Sequence, residues 1–175
     1  MPDSTIRINR APVLTLWAAA VAERLGHDRD AALTLGRAVA GMNAQSKGRR
    51  LGLLDAPPPE RPAPARGARE RLVPLLGRSV TAVRTSRGLR AVSKGSPASP
   101  RAVERYLEEK FGAALPDARA AMTALAAAYA PERLADVAYP LYEQFRPRIP
   151  EGARGWGAKG ALDLARIRAL AAEAR

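Results

Sequence analysis

Residues 12–25 read PVLTLWAAAVAERL, and the spacing of their apolar side chains points to the fold class. Leu14, Trp17, Ala18, Val21, Ala22 and Leu25 recur at intervals of three and four, the period of a helix with a buried face. Pro12 suits a first turn, where its missing N–H costs nothing, and Gly26 ends the run. Asp28 is then placed to cap a second helix with an apolar stripe of Ala31, Leu35, Ala38, Val39 and Met42, which fades near Asn43 or Gln45. A short basic segment, Ser46-Lys47-Gly48-Arg49-Arg50, follows it.

Further along, residues 56–67 read APPPERPAPARG, where prolines at 57, 58, 59, 62 and 64 forbid helix and favour an extended tether. This divides the chain into an N-terminal helical module at 1–54, a Pro-rich linker at 55–68, and a second module at 69–175. The second opens with Val80-Thr81-Ala82-Val83-Arg84-Thr85, Ser86-Arg87-Gly88, and Leu89-Arg90-Ala91-Val92. β-branched residues around a Gly-containing tight loop predict one short β-hairpin at about 80–92. Ser99 and Pro100 start a helix with Val103, Tyr106, Leu107 and Phe111 inward, ended by Gly112. Further helices are expected at 116–129 and over the Leu134 to Phe145 segment, where Pro140 predicts a kink or break, with a last one capped by Asp163. The predicted fold is mainly α, a bundle of helices with one hairpin.

Composition narrows the function. The net charge is +12, from 29 Lys plus Arg against 17 Asp plus Glu, and such an excess attracts polyanions. Arg, Ala and Pro enrichment is compatible with GC-biased codons, but that bias does not explain where the acids are missing. From Arg71 to Val103 the chain carries Arg71, Arg78, Arg84, Arg87, Arg90, Lys94 and Arg101 with no Asp or Glu. A second acid-free zone runs from Ala31 to Leu54 and holds Arg37, Lys47, Arg49 and Arg50. With no cysteine, disulfides, thiolate catalysis and Cys-based zinc sites are excluded. No segment has the length and apolarity of a signal peptide or membrane span, so a cytoplasmic protein without a membrane partner is expected.

Val21-Ala22-Glu23-Arg24-Leu25-Gly26, with the helix after it, resembles the first half of a helix-turn-helix, where Ala and Gly four positions apart let two helices cross closely. It departs from that pattern at His27, where an apolar residue is usual, and at Asp28 and Asp30, which would repel phosphates. An ordinary helical hairpin packing Trp17, Leu25, Leu35 and Val39 is the competing reading. His27, the single histidine, reads as structural or solvent-exposed rather than as a general base. Glu104, Glu108 and Glu109 read as a surface face paired with Arg101, Arg105 and Lys110. Trp156 among glycines reads as a core plug or, with Arg154 and Lys159, as a base-stacking loop. No Walker pattern is present, and neither catalysis nor a cofactor or metal is expected.

The expectation is therefore a DNA-binding protein, a regulator or nucleoid-type organiser, that contacts phosphates through Arg84, Arg87, Arg90, Lys94, Lys47, Arg49, Arg50 and Arg37. RNA or ribosome binding, and an adaptor that docks an acidic protein partner, are the alternatives. A homodimer would double the basic surface.

Overall fold

The structure, a computed structural model, describes residues 5–50, 70–93, 96–147 and 159–174. It is mainly helical, with two small antiparallel sheets. Helix α1 (Arg10–Arg24) is its axis: every residue from 12 to 22 is buried, not just one stripe. A helix that is apolar all round belongs inside a core, and α1 is surrounded by α2 (Arg29–Arg50), α3 (Pro100–Phe111), α4 (Leu115–Ala127) and α5 (Pro131–Phe145). The polar exception in its buried run, Thr15, returns its hydroxyl to the Ala11 carbonyl at 2.8 Å. Trp17 packs edge-on against Phe145 at 5.3 Å, and its indole N–H donates to the Ala138 carbonyl at 2.9 Å.

Asp28 caps α2 by accepting the Ala31 amide at 2.8 Å. The helix continues to Arg50, past the expected fade at 43–45, so Lys47, Arg49 and Arg50 sit in its last turns rather than beyond it. Its crossing with α1 is close because Gly36 has no side chain. A Cβ there would meet the Thr15 carbonyl oxygen and, at 2.9 Å, the Ala19 nitrogen. Residues 31–36 are all buried against the core, and Arg29, Asp30 and Arg37 are the exposed residues around them. The pair is a core helical hairpin, and the helix-turn-helix likeness stops at its close crossing.

Strand β1 (Thr5–Asn9) pairs antiparallel with β6 (Lys159–Asp163), Ile8 opposite Gly160, and β6 leads into α6 (Leu164–Glu173). The Asp163 carboxylate caps α6 by accepting the Ala165 amide at 2.9 Å. Ser99 caps α3 at 3.2 Å from the Ala102 amide, and Gly112 closes that helix at φ +57°. Helix α5 is continuous from Pro131 to Phe145, with Pro140 on its exposed side, where the predicted break does not occur.

The second sheet has the order β2-β3-β4-β5, from Glu70–Leu75, Arg78–Thr85, Gly88–Ser93 and Ser96–Pro97. The sequence reading saw β3 and β4 alone. It missed β2, whose Pro74 is tolerated because β2 is an edge. Leu76 and Gly77 both take positive φ, 50° and 75°, between β2 and β3, the signature of a tight primed turn. On one face Val73, Leu75, Val80, Ala82, Leu89 and Ala91 are buried. Helix α2 packs on β3 and β4. Buried residues from both halves of the chain form one cluster, so the division at 54 and 69 does not separate two cores. The Pro-rich linker lies outside the described residues.

Candidate functional site

Side chains alternate along a strand, so Val80, Ala82 and Arg84 share a face of β3, and Arg71, Val73 and Leu75 share a face of β2. Register places Arg71 opposite Ala82, which makes Arg84 its diagonal neighbour one step further along β3. The apolar rows of this face thus end in two exposed guanidinium groups at its rim. Together with Thr85 and Ser86 they line a depression of about 420 Å³.

The turn beside it is tightly wired. The Thr85 hydroxyl donates to the Gly88 carbonyl at 2.8 Å and accepts the Arg87 amide at 3.1 Å. Gly88 follows at φ +117°, a conformation that a side chain would strain. These bonds fix Ser86 and Arg87 as the exposed tip.

Arg90 behaves differently from its neighbours. It is 5% exposed and gives its guanidinium protons to the Leu89 and Arg87 carbonyls at 2.8 and 3.2 Å. It also faces Asp30 at 3.7 Å. As a counter-charge and turn brace it is not on the surface where a polyanion would lie, which corrects its place among the phosphate candidates. The same contact answers part of the charge problem posed by the start of α2. Asp30 has a partner in Arg90, and Asp28 is occupied by the helix cap.

His27, between α1 and α2, is half-buried, and its pKa lies below the ordinary value. Burial is the main cause, Arg71 adds to it, and Asp28 opposes it. The α1–α2 loop also approaches the hairpin turn, with an Asp28 carboxylate oxygen 3.5 Å from where a Gly88 Cβ would stand. Arg71, part of the acid-free run but not expected among the phosphate contacts, joins Arg84 here through strand register. The alternation Arg71, Val73, Leu75 before a turn would have revealed it.

Arg37 is exposed but lies over the Tyr106 ring of α3 at 4.5 Å from its centroid. Lys47, Arg49 and Arg50 share the C-terminal turns of α2, and nothing of their side chains is described. Lys94 and Trp156 lie outside the described residues.

The acidic face of α3 also differs from expectation. Glu104 does not depend on its own helix for cations. Arg119 of α4 grips it through two hydrogen bonds, 2.6 and 3.0 Å, and Arg29 of α2 adds a 3.5 Å contact. This triad stitches three helices at the edge of a groove of about 850 Å³ between α3 and α4, lined otherwise mainly by small residues such as Ala120 and Ala124. Among the described residues no helix is long and apolar enough to cross a membrane. Family models, curated proteins and solved structures offer no match to this chain.

Proposed function

We propose that the protein binds nucleic acid, duplex DNA first, by seating phosphates on the rim of the four-stranded sheet. The observation that carries this reading is the convergence of Arg71 and Arg84, from adjacent strands, on one depression with Thr85 and Ser86 and no acid among its described lining residues. Arginine forks match phosphate oxygens in geometry and charge, and hydroxyls and backbone at a tight turn allow close approach. Arg87 at the tip extends the contact along a strand of phosphates. Lys47, Arg49 and Arg50 at the end of α2, and Lys94 after β4, belong to the same basic reading and add sequence-independent attraction. Arg90 is left out of the contact set, and Arg37 is reserved for its packing on Tyr106.

In this reading the described rim engages the phosphate backbone, to which arginine forks donate whatever the base sequence. The protein's role is that of a backbone-binding organiser or regulator. A gel-shift titration of duplex DNA compares the full chain with Arg84→Gln/Arg87→Gln over a range of salt. Binding that is indifferent to salt, or that persists after nuclease treatment as capture of an acidic protein, would remove the DNA reading. Competition by structured RNA over duplex DNA would redirect it to RNA.

A further inference from the structure

We infer that the depression lined by Arg71, Arg84, Thr85 and Ser86 is a site for one dianionic phosphate monoester, of the kind that ends a 5′-phosphorylated nucleic-acid strand. The inference deepens the proposed function and rests on it for the polymer, but not for the phosphate.

The geometry is that of a point receptor more than a track. Arg71 and Arg84 approach from neighbouring strands on a diagonal, so both forks can serve one tetrahedral group between them. A monoester offers three terminal oxygens and a charge of roughly −1.5 to −2 at neutral pH. Two guanidinium groups and the exposed Ser86 hydroxyl can therefore be served together. A diester inside a strand offers two free oxygens and a single charge, so it can use the same two forks but is held less fully than a terminal monoester. The cavity, about 420 Å³, has room for a phosphoryl group and the sugar that carries it. Thr85 is committed to the turn through the Gly88 carbonyl and the Arg87 amide, so its role is to hold the tip in shape. Withdrawal of Arg90 to Asp30 and the backbone carbonyls leaves the positive charge concentrated on the rim pair.

His27 supplies an internal reporter. It is the one histidine of the chain, and it lies within electrostatic reach of Arg71, with Asp28 acting in the opposite sense. A dianion seated on Arg71 offsets that guanidinium and favours the imidazolium. The pH titration of the His27 ring resonance is therefore followed by NMR on the full chain, with and without inorganic phosphate. In parallel, fluorescence anisotropy compares 5′-phosphorylated and 5′-hydroxyl oligonucleotides of one sequence.

Inorganic phosphate should raise the His27 pKa by about half a unit, and the 5′-phosphate should tighten binding roughly tenfold. Arg84→Gln should abolish both effects without changing the His27 titration in phosphate-free buffer, since Arg71 and Asp28 remain. Ser86→Asp, which sets a carboxylate at the mouth, gives a second and independent loss. An unmoved His27 titration with equal binding of both oligonucleotides overturns the inference while leaving salt-dependent DNA binding standing. A response to inorganic phosphate without binding of either oligonucleotide keeps the monoester site and removes the polymer reading.

Discussion

Thr34 of α2 accepts the Ala91 amide proton of β4 at 3.0 Å, so a helix hydroxyl completes a strand's hydrogen bonding. On the other side of the same residue, the Ala91 carbonyl accepts the Ala98 amide at 2.8 Å. Thr34 and Ala91 are both fully buried, and water cannot replace the hydroxyl there. Thr34→Val keeps the shape and removes the acceptor, so it should cost about 1–3 kcal/mol. Chemical denaturation reads the loss, and faster hydrogen exchange of the Ala91 amide locates it.

Gly36→Ala should be damaging although alanine is the better helix former. The added methyl meets the Thr15 carbonyl and the Ala19 backbone, neither of which is a flexible side-chain tip. Separating α1 from α2 should cost about 1–3 kcal/mol, against a propensity gain of about 1 kcal/mol. Gly41, also in α2, has nothing within 4 Å of such a methyl, so Gly41→Ala is the matched control and should be neutral or stabilising. Thermal melts of the two variants make the comparison.

The Arg119 fork holds the Glu104 carboxyl below its usual pKa, with burial opposing and the charges of Arg119 and Arg29 assisting. A carboxyl lowered in the folded state stabilises the fold above its unfolded pKa, and that contribution disappears as pH falls through the folded value. Glu104→Gln should therefore lower stability at pH 7 by about 1 kcal/mol. The gap from wild type should persist above the unfolded value of 4.5 and close as pH falls through the lower folded value. Urea midpoints measured across that range test it.

Arg84 and Arg90 stand on adjoining strands yet should answer mutation in opposite ways. Arg84→Gln/Arg87→Gln should leave stability within about 0.5 kcal/mol of wild type. If about six phosphates are contacted, the wild-type slope of log affinity against log salt lies near −5, and the double variant should lose about two units of it. Arg90→Gln should instead cost about 1.5–3 kcal/mol through its lost carbonyl bonds, with the salt slope of the folded protein unchanged. Denaturation and DNA titration on the same preparations separate the two roles.

The helical half of this architecture was readable because the signals are local. Period, caps and breakers around Trp17, Ser99, Gly112 and Asp163 are set by neighbouring residues. The depth of α1's burial was not readable. An alanine-rich helix shows the same stripe whether one face or all faces are covered, and the covering helices come from far along the chain. β2 was hidden by Pro74, a residue that weakens any strand reading unless the strand is known to be an edge. The rim pair depends on register across that missed strand, which is why Arg84 was found and Arg71 was not. Arg90 was misjudged for a related reason. Alternation alone cannot say that Asp30, from another element, waits behind the turn.

The pairing of β1 with β6 also sets an order of events. A chain made from its N-terminus presents Thr5–Asn9 before the helices that follow, and the partner strand Lys159–Asp163 is made only after α5. Trp17 likewise waits for Ala138 and Phe145 before its ring and indole N–H are covered. Local helices can form as they appear, whereas the seam between β1 and β6 closes only after the helices between them have been made. Until then the apolar axis of the molecule stands open. A growing chain therefore carries an uncovered apolar helix until α5 has followed it.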